Sequence, residues 1–378
     1  MTRRLRPAGC DPPPPCNIFA PMARVGILGL PNVGKTTLFN ALTGLDAPTA
    51  AHPFSTTEPN VGVARVPDDR LDRAAAVEGS PKTTYATLDL LDLPAMAGPG
   101  GSGLGSQFLG RLREMEALAV VLRAFQDDAV PDADSGTDPV SQAETLLREL
   151  TLADAEVFSR RADKAARESM SDVSLKASAA AIARAAAHLE EGLPLRTVSW
   201  TDQELVSFRD LAPLTLKPAV WVVNVDEGAI EGDVIDRVTE VVPEGDLVIV
   251  LSAKIEAEAA QLDPGDRAEL REGLGLGAGA LTTMVQATYS ALGVLSFFTM
   301  GPKESRAWTV RVGAAAPEAA GKIHSDLERG FIRAEVAPIE VVLDAGGWDA
   351  AKAAGSVRLE GKDYVIKEGD VIVVRFSV

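Results

Sequence analysis

Gly29-Leu-Pro-Asn-Val-Gly34-Lys35-Thr36 fits the spacing G-x-x-x-x-G-K-[ST]. That spacing serves phosphate chemistry. Glycines let successive backbone N–H groups, here from Asn32, Val33, Gly34, Lys35, Thr36 and Thr37, turn inward and cradle an anion at a helix N-terminus. The ammonium of Lys35 reaches the β- and γ-phosphates, and the hydroxyl of Thr36 coordinates Mg²⁺. Magnesium takes only one or two protein oxygens beside phosphate and water, so one hydroxyl suffices at this position. Downstream, Phe54-Ser-Thr-Thr-Glu-Pro-Asn60 has the makeup of a loop whose Thr56 completes the magnesium shell once a γ-phosphate is present. A Ser/Thr cluster before proline is equally a simple turn.

A phosphate loop needs a strand before it and a helix after it. Residues 24–28 are a short apolar run, and a helical pattern follows from Lys35 to Thr43, which opens a parallel α/β sheet. Further Val/Leu-rich runs at 87–93, 117–123, 219–225 and 247–252 read as buried strands covered on both faces. Between the second and third of these runs, Ser141-Gln-Ala-Glu144 reads as a capping box, with Leu146, Leu150, Ala153 and Val157 at helical spacing behind it. A second Ala-rich helix over 174–191 stops at Gly192 and Pro194, so the pair predicts an inserted antiparallel hairpin. Thr201-Asp-Gln-Glu204 is another capping box that leads the chain back to the sheet. From about Ser296 the pattern turns strand-like at Val310, Val312, 364–366 and 371–376, with one helix at 316–323.

A formal net charge of −17 discourages indiscriminate contact with nucleic-acid phosphates and gives no support to sequence-specific DNA binding. Residues 297–378 carry eleven Lys/Arg against twelve Asp/Glu, so the excess acid lies in the earlier part of the chain. No apolar run approaches the roughly 20 residues that span a bilayer, so the expectation is a cytoplasmic protein without a membrane partner. The two cysteines, Cys10 and Cys16, flank four prolines, and the three histidines lie far away in sequence, which leaves no metal cage. Residues 1–21 read as a disordered proline-rich tail, or as a mis-start ahead of Met22.

The phosphate loop and its continuation Thr37-Leu-Phe-Asn-Ala-Leu-Thr43 are followed by Glu58-Pro-Asn-Val-Gly62 and Gly103-Leu-Gly-Ser-Gln-Phe-Leu109. Asn224-Val-Asp-Glu227, Ser252-Ala-Lys-Ile-Glu-Ala-Glu258, Glu304-Ser-Arg-Ala-Trp308, 321–335 and Glu360-Gly-Lys-Asp-Tyr364 complete a set that resembles the Obg-like ATPases of the YchF type, over essentially all of 22–378. The resemblance implies an α/β P-loop NTPase G domain over 22–140 and 204–295. It further implies an inserted α-helical hairpin over 141–203 and a C-terminal β-grasp (TGS) domain over 296–378. It also implies Mg²⁺-dependent hydrolysis of ATP in preference to GTP, at a slow rate, by a nucleotide-dependent switch that associates with the ribosome.

Residue by residue, the family's base-reading motif falls on Asn224, Val225, Asp226 and Glu227, and its second base loop on Ser252, Ala253 and Lys254. In GTPases an Asn-Lys-x-Asp motif reads guanine: the acid pairs two guanine N–H groups and the lysine stem lies over the ring. Val225 has no such stem and Glu227 is one methylene longer, so strict guanine selection is lost. Counting from Thr83-Thr84, the indirect magnesium ligand of the second switch matches Asp89, which with Lys35 is the expected catalytic pair, and the glycine of that switch is replaced by Asp92. The family's catalytic histidine matches Asp132, and no histidine occurs between His52 and His188. Two further readings therefore stand beside the ATPase: a nucleotide-binding adaptor with little turnover, and a GTPase with an altered base motif. Asn32 matches an asparagine that holds a potassium ion in related phosphate loops; hydrogen bonding within its own loop is the plainer role.

Overall fold

The computed structural model describes residues 24–47, 59–93, 105–127, 138–226, 233–263, 265, 266, 269 and 279–377. Two compact units divide the chain, one from residues up to Pro67 with Ala86–Tyr289, the other from Asp68–Tyr85 with Ser290–Val378. The expectations for residues 1–21, Thr56, Asp132 and Glu227 lie outside the described residues.

In the first unit, β1 (Arg24–Leu28) buries every residue but its first and runs into the phosphate loop. The loop ends in α1 (Lys35–Thr43), which Gly44 closes in the left-handed conformation. Next comes β2 (Asn60–Arg65), an edge strand that alternates exposed and buried positions. The chain then leaves for α2 (Asp69–Glu78) and β3 (Thr83–Thr84) of the other unit. It returns as β4 (Thr87–Asp92), followed by α3 (Ser106–Arg113) and the fully buried β5 (Ala117–Arg123). The helices α4 (Pro139–Ser171) and α5 (Lys176–Glu190) precede β6 (Ala219–Asn224) and β7 (Leu247–Leu251). The sheet order is β2-β4-β1-β5-β6-β7, and all pairings are parallel except β2 with β4. The Val/Leu runs without alternation suit strands covered on both faces. Because the strands run parallel, Leu28, Asp92, Arg123, Asn224 and Leu251 all end at one edge, where open α/β sheets bind ligands.

The inserted hairpin forms, with one correction at its start. Ser141 is not the N-cap of α4; Asp138 is, its carboxylate accepting from Ser141 N–H and Oγ, with Pro139 in the first turn. Proline at that position lacks an N–H that would have no helical partner, so the helix starts three residues earlier than the Ser-x-x-Glu pattern suggests. The capping box at Thr201 and Glu204 is present in both directions. The hairpin's own core gathers Phe158, Phe208 and Trp200, with edge-on ring pairs at 5.3 and 5.0 Å.

A buried polar knot fixes the root of the hairpin to the sheet. Asp154 of α4 is wholly buried and accepts from Arg113 Nη1 at 2.9 Å, Leu214 N–H at 3.0 Å, and Thr215 N–H and Oγ1 at 2.8 and 2.9 Å. Arg113, the last residue of α3, also donates to the carbonyls of Ala153, Leu211 and Ala212. Lys217 donates to the carbonyls of Arg113 and Met115, and burial lowers its ammonium to about 8.

In the second unit β8 (Val294–Thr299), β9 (Ser305–Arg311), β10 (Phe331–Pro338), β11 (Arg358–Glu360) and β12 (Asp370–Phe376) join β3 in the order β11-β10-β12-β8-β9-β3. The helix expected at 316–323 forms there. Residues 364–366 do not form a strand: only Val365 makes a bridge, to Ala315. Val312 lies just beyond β9. The segment 68–85, which the sequence reading places within the nucleotide domain, belongs to this unit instead. Its β3 pairs with β9, Arg70 donates to Glu368 and lies 5.3 Å over the Phe298 ring, and Glu78 accepts from Trp348 N–H at 2.7 Å.

The knot at Asp154 sets a contrast in stability. Asp154→Ala leaves the half-buried Arg113 without its anion and two backbone N–H groups unpaired, a loss of about 3–5 kcal/mol. Arg160→Ala opens an ion pair to Glu156 in which both side chains are mostly exposed, and changes stability by less than about 1 kcal/mol. Urea unfolding of both variants, followed by tryptophan fluorescence, checks the difference.

Candidate nucleotide-binding site

The phosphate loop takes its shape from a few residues. Gly34 adopts φ 92°, and a Cβ there would meet Asn224 Nδ2 at 2.4 Å, so only glycine fits. Asn32 is left-handed at φ 61°, a conformation that asparagine tolerates better than most residues. Val33 is buried, while Thr36 and Thr37 are half-buried. Lys35 folds back on its own loop: Nζ donates to Gly29 O at 3.2 Å and Leu30 O at 2.8 Å. Burial lowers its ammonium to about 8, with the Asp92 charge partly opposing that shift.

Asp92 sits beside this loop at the end of β4, in register with Ile27 of β1 and Asn60 of β2. Its Oδ2 accepts from Thr36 Oγ1 at 2.7 Å and from Asn60 Nδ2 at 3.1 Å. The other oxygen, Oδ1, is buried and has no hydrogen-bond partner among the described residues. A buried carboxylate oxygen without a donor is costly. It suits a cation, or water held by one, next to the Thr36 hydroxyl. The residues present therefore fit Mg²⁺.

The strand register sets Asp89 apart from the phosphate loop. Asp89 stands opposite Arg24, the first residue of β1, and opposite Val63 of β2. That is three residues, or about 10 Å of strand, back from the edge where the loop emerges. Counting forward from Thr83-Thr84 fails because those two residues pair with the other unit's sheet rather than starting this strand. Asp92, rather than Asp89, is thus the aspartate beside the phosphate loop.

The base side is built around Asn224. Its Nδ2 donates to Val33 O at 3.0 Å, and its Oδ1 accepts from Ala253 N–H at 2.9 Å. Ser252 caps the helix Ala253–Gln261, and Lys254 is exposed. Val225 is buried in the sheet core with Val223, Val238 and Val250, and its N–H donates to Leu251 O. It therefore does not present a side chain to a base ring. Asp226 accepts from Gln126 N–H at 3.1 Å.

Two residues escaped sequence reading. Asn60 bonds the site's acid, and its only signal was membership of the Glu58-Pro-Asn-Val-Gly62 run. Gln142, wholly buried in α4, accepts from Arg123 N–H at 2.8 Å and donates to Arg123 O at 2.9 Å. It acts as a surrogate strand where β5 outruns β1. Nothing in its surroundings in sequence marks it.

Among the described residues no helix is long and apolar enough to cross a membrane, and no group of three or more His, Cys, Asp or Glu could hold a metal ion. A family model described as "50S ribosome-binding GTPase" matches residues 24–156. The model of the YchF-type GTPase C-terminal region, described as a protein of unknown function, matches 294–377. The "Ribosome-binding ATPase YchF" of Escherichia coli O157:H7 is 40% identical over 360 residues, covering 94% of this chain and 99% of the relative. The protein of the same name from Bacillus subtilis is 40% identical over 363 residues, covering 93% and 99%. "Obg-like ATPase 1" of Oryza sativa is 34% identical over 369 residues, covering 95% and 93%. The solved Schizosaccharomyces pombe YchF GTPase superposes with a TM-score of 0.82 at 29% identity, covering 93% of this chain and 97% of that one. Matched nearly end to end by such relatives, and carrying the phosphate loop with its acid and asparagine in place, the chain belongs to the YchF family.

Proposed function

We propose that this chain binds ATP with Mg²⁺ in preference to GTP, hydrolyses it slowly, and acts in the cytoplasm as a nucleotide-dependent switch on the ribosome. The observation that carries the reading is the grouping of Lys35, Thr36 and the half-satisfied Asp92 at one loop, with Asn224 joining that loop to the base side. Bound Mg²⁺ would supply positive charge that neutralises charge developing on the phosphates. Thr36 would hold it directly and Asp92 would orient what surrounds it. Lys35 leaves the Gly29 and Leu30 carbonyls for the phosphates, and the N–H groups of 32–37 take the remaining oxygens. Thr56 completes the shell in the triphosphate state, and Asn32 either supports a potassium ion or bonds within its loop.

Adenine preference is supported by Val225, which is committed to the core, and by Glu227 in place of the guanine-reading acid. The ribosome is proposed because close relatives carry ribosome binding in their names. An adaptor with little turnover is the second reading, favoured by Asp132 where the family has its histidine. Single-turnover release of phosphate separates the two: release from an ATP-loaded protein supports the ATPase, and none over hours supports the adaptor.

Titration calorimetry with non-hydrolysable ATP and GTP analogues, each with Mg²⁺, tests the base. The ATP analogue binds more tightly, and Lys35→Ala weakens it about tenfold or more. Equal or tighter GTP binding overturns the adenine reading.

A second outcome concerns protons. The free Lys35 ammonium titrates near 8, and a polyphosphate beside it raises that value. The phosphates' own last ionisation lies lower, at about pH 6. ATP binding at pH 8–9 therefore takes up a proton, and affinity falls by up to about tenfold per pH unit above 8 while staying level from 7 to 7.5. Calorimetry in buffers of different ionisation enthalpy reads the proton directly.

A further inference from the structure

We propose that Asn60 is a positioning residue for the magnesium acid: its side-chain amide holds Asp92 in the one orientation that leaves Oδ1 free for the metal shell. The inference rests on the nucleotide and magnesium reading above and adds a residue to it.

The argument starts from the inventory of Asp92. A carboxylate offers about four lone-pair sites on two oxygens. Among the described residues both donors converge on Oδ2, Thr36 Oγ1 at 2.7 Å and Asn60 Nδ2 at 3.1 Å, and Oδ1 receives none. So lopsided an arrangement is not what burial alone would select, because a buried oxygen without a donor costs free energy. With Thr36 as the sole partner, the carboxylate can turn about its Cβ–Cγ bond and spread its lone pairs over other orientations. A second donor from a different direction removes that freedom. Thr36 has one hydroxyl proton, and giving it to Asp92 leaves the threonine's lone pairs for a cation. The two donors to Oδ2 therefore fix both the metal-facing oxygen of Thr36 and the free oxygen of Asp92.

The backbone explains why Asn60 can do this. It is the first residue of β2 and stands directly opposite Asp92 in the antiparallel register, so its side chain needs no loop to reach the acid. Partners that orient a metal's ligands typically contribute 10–100-fold to metal affinity.

The test uses the full chain with Mn²⁺ as the metal probe and a non-hydrolysable ATP analogue. Electron paramagnetic resonance gives Mn²⁺ affinity for the nucleotide-bound protein, and calorimetry in EDTA gives metal-free nucleotide affinity. Asn60→Ala lowers Mn²⁺ affinity about tenfold and broadens the bound-metal signal, while nucleotide affinity in EDTA stays within twofold of the unsubstituted protein. Asn60→Val, which keeps a strand-favouring residue at this position, gives the same split and stands in if the alanine variant fails to fold. Unchanged Mn²⁺ affinity in a folded variant overturns the inference. So does an equal fall in metal-free nucleotide affinity, which marks a structural role only. Absence of nucleotide-dependent Mn²⁺ binding in the unsubstituted protein instead overturns the reading on which the inference rests.

Discussion

The site depends on one buried amide. Asn224 spends its NH₂ on the carbonyl of Val33 and its oxygen on the N–H of Ala253, so a single side chain joins the phosphate loop to the loop that follows β7. Both of those loops leave the same edge of a parallel sheet, and neither is paired to the other by backbone. Losing either bond leaves a buried backbone group unsatisfied at a cost of about 1–3 kcal/mol. The constraint propagates into sequence: Gly34 has no room for a Cβ because Asn224 occupies that space. A glycine required by phosphate geometry is thus required a second time by the base side.

A comparable economy ties the helical hairpin to the sheet. Gln142 completes the ladder of β5 where β1 has already turned into the phosphate loop, and Asp154 gathers Arg113 and the backbone at 214 and 215. Both groups lie on α4, and both grip residues at strand or helix ends rather than in their middles. Arg113 closes α3, the helix that follows β4 and its Asp92. The hairpin is therefore not hung on a flexible linker: its first helix is bonded to the ends of elements that carry the nucleotide site.

How much of this was legible in the sequence follows from the range of each interaction. The phosphate loop, its strand and its helix are local, and the residues that make them are contiguous. The parallel strands were readable because strands buried on both faces are runs of Val and Leu. The edge strand β2 was not, since its alternating Asn-Val-Gly-Val-Ala-Arg carries exposed valines at 61 and 63 that blur the pattern. The membership of 68–85 was hidden for a different reason. Its strand pairs with β9 some 220 residues away, and Glu78 finds its partner at Trp348. The same excursion explains the misplaced acid. Asp89 and Asp92 lie on one strand, and only the register against β1 says which of them reaches the loop.

That register also changes the electrostatic argument about turnover. An aspartate in a phosphate-sensing position would repel the γ-phosphate, whereas Asp92 stands at the end of β4, bonded to Thr36. Lys35 and Asp92 sit near enough for their opposite charges to act on one another. Lys35 is held by the Gly29 and Leu30 carbonyls, and Asp92 Oδ1 is buried without a hydrogen-bond partner among the described residues. Binding is thus favoured by groups already in place. Cleavage asks for something more, a group that orients water in line with the leaving phosphate. Among the described residues at this edge, Thr36, Asn60, Asn224 and Ser252 are all engaged in holding the loops and the acid.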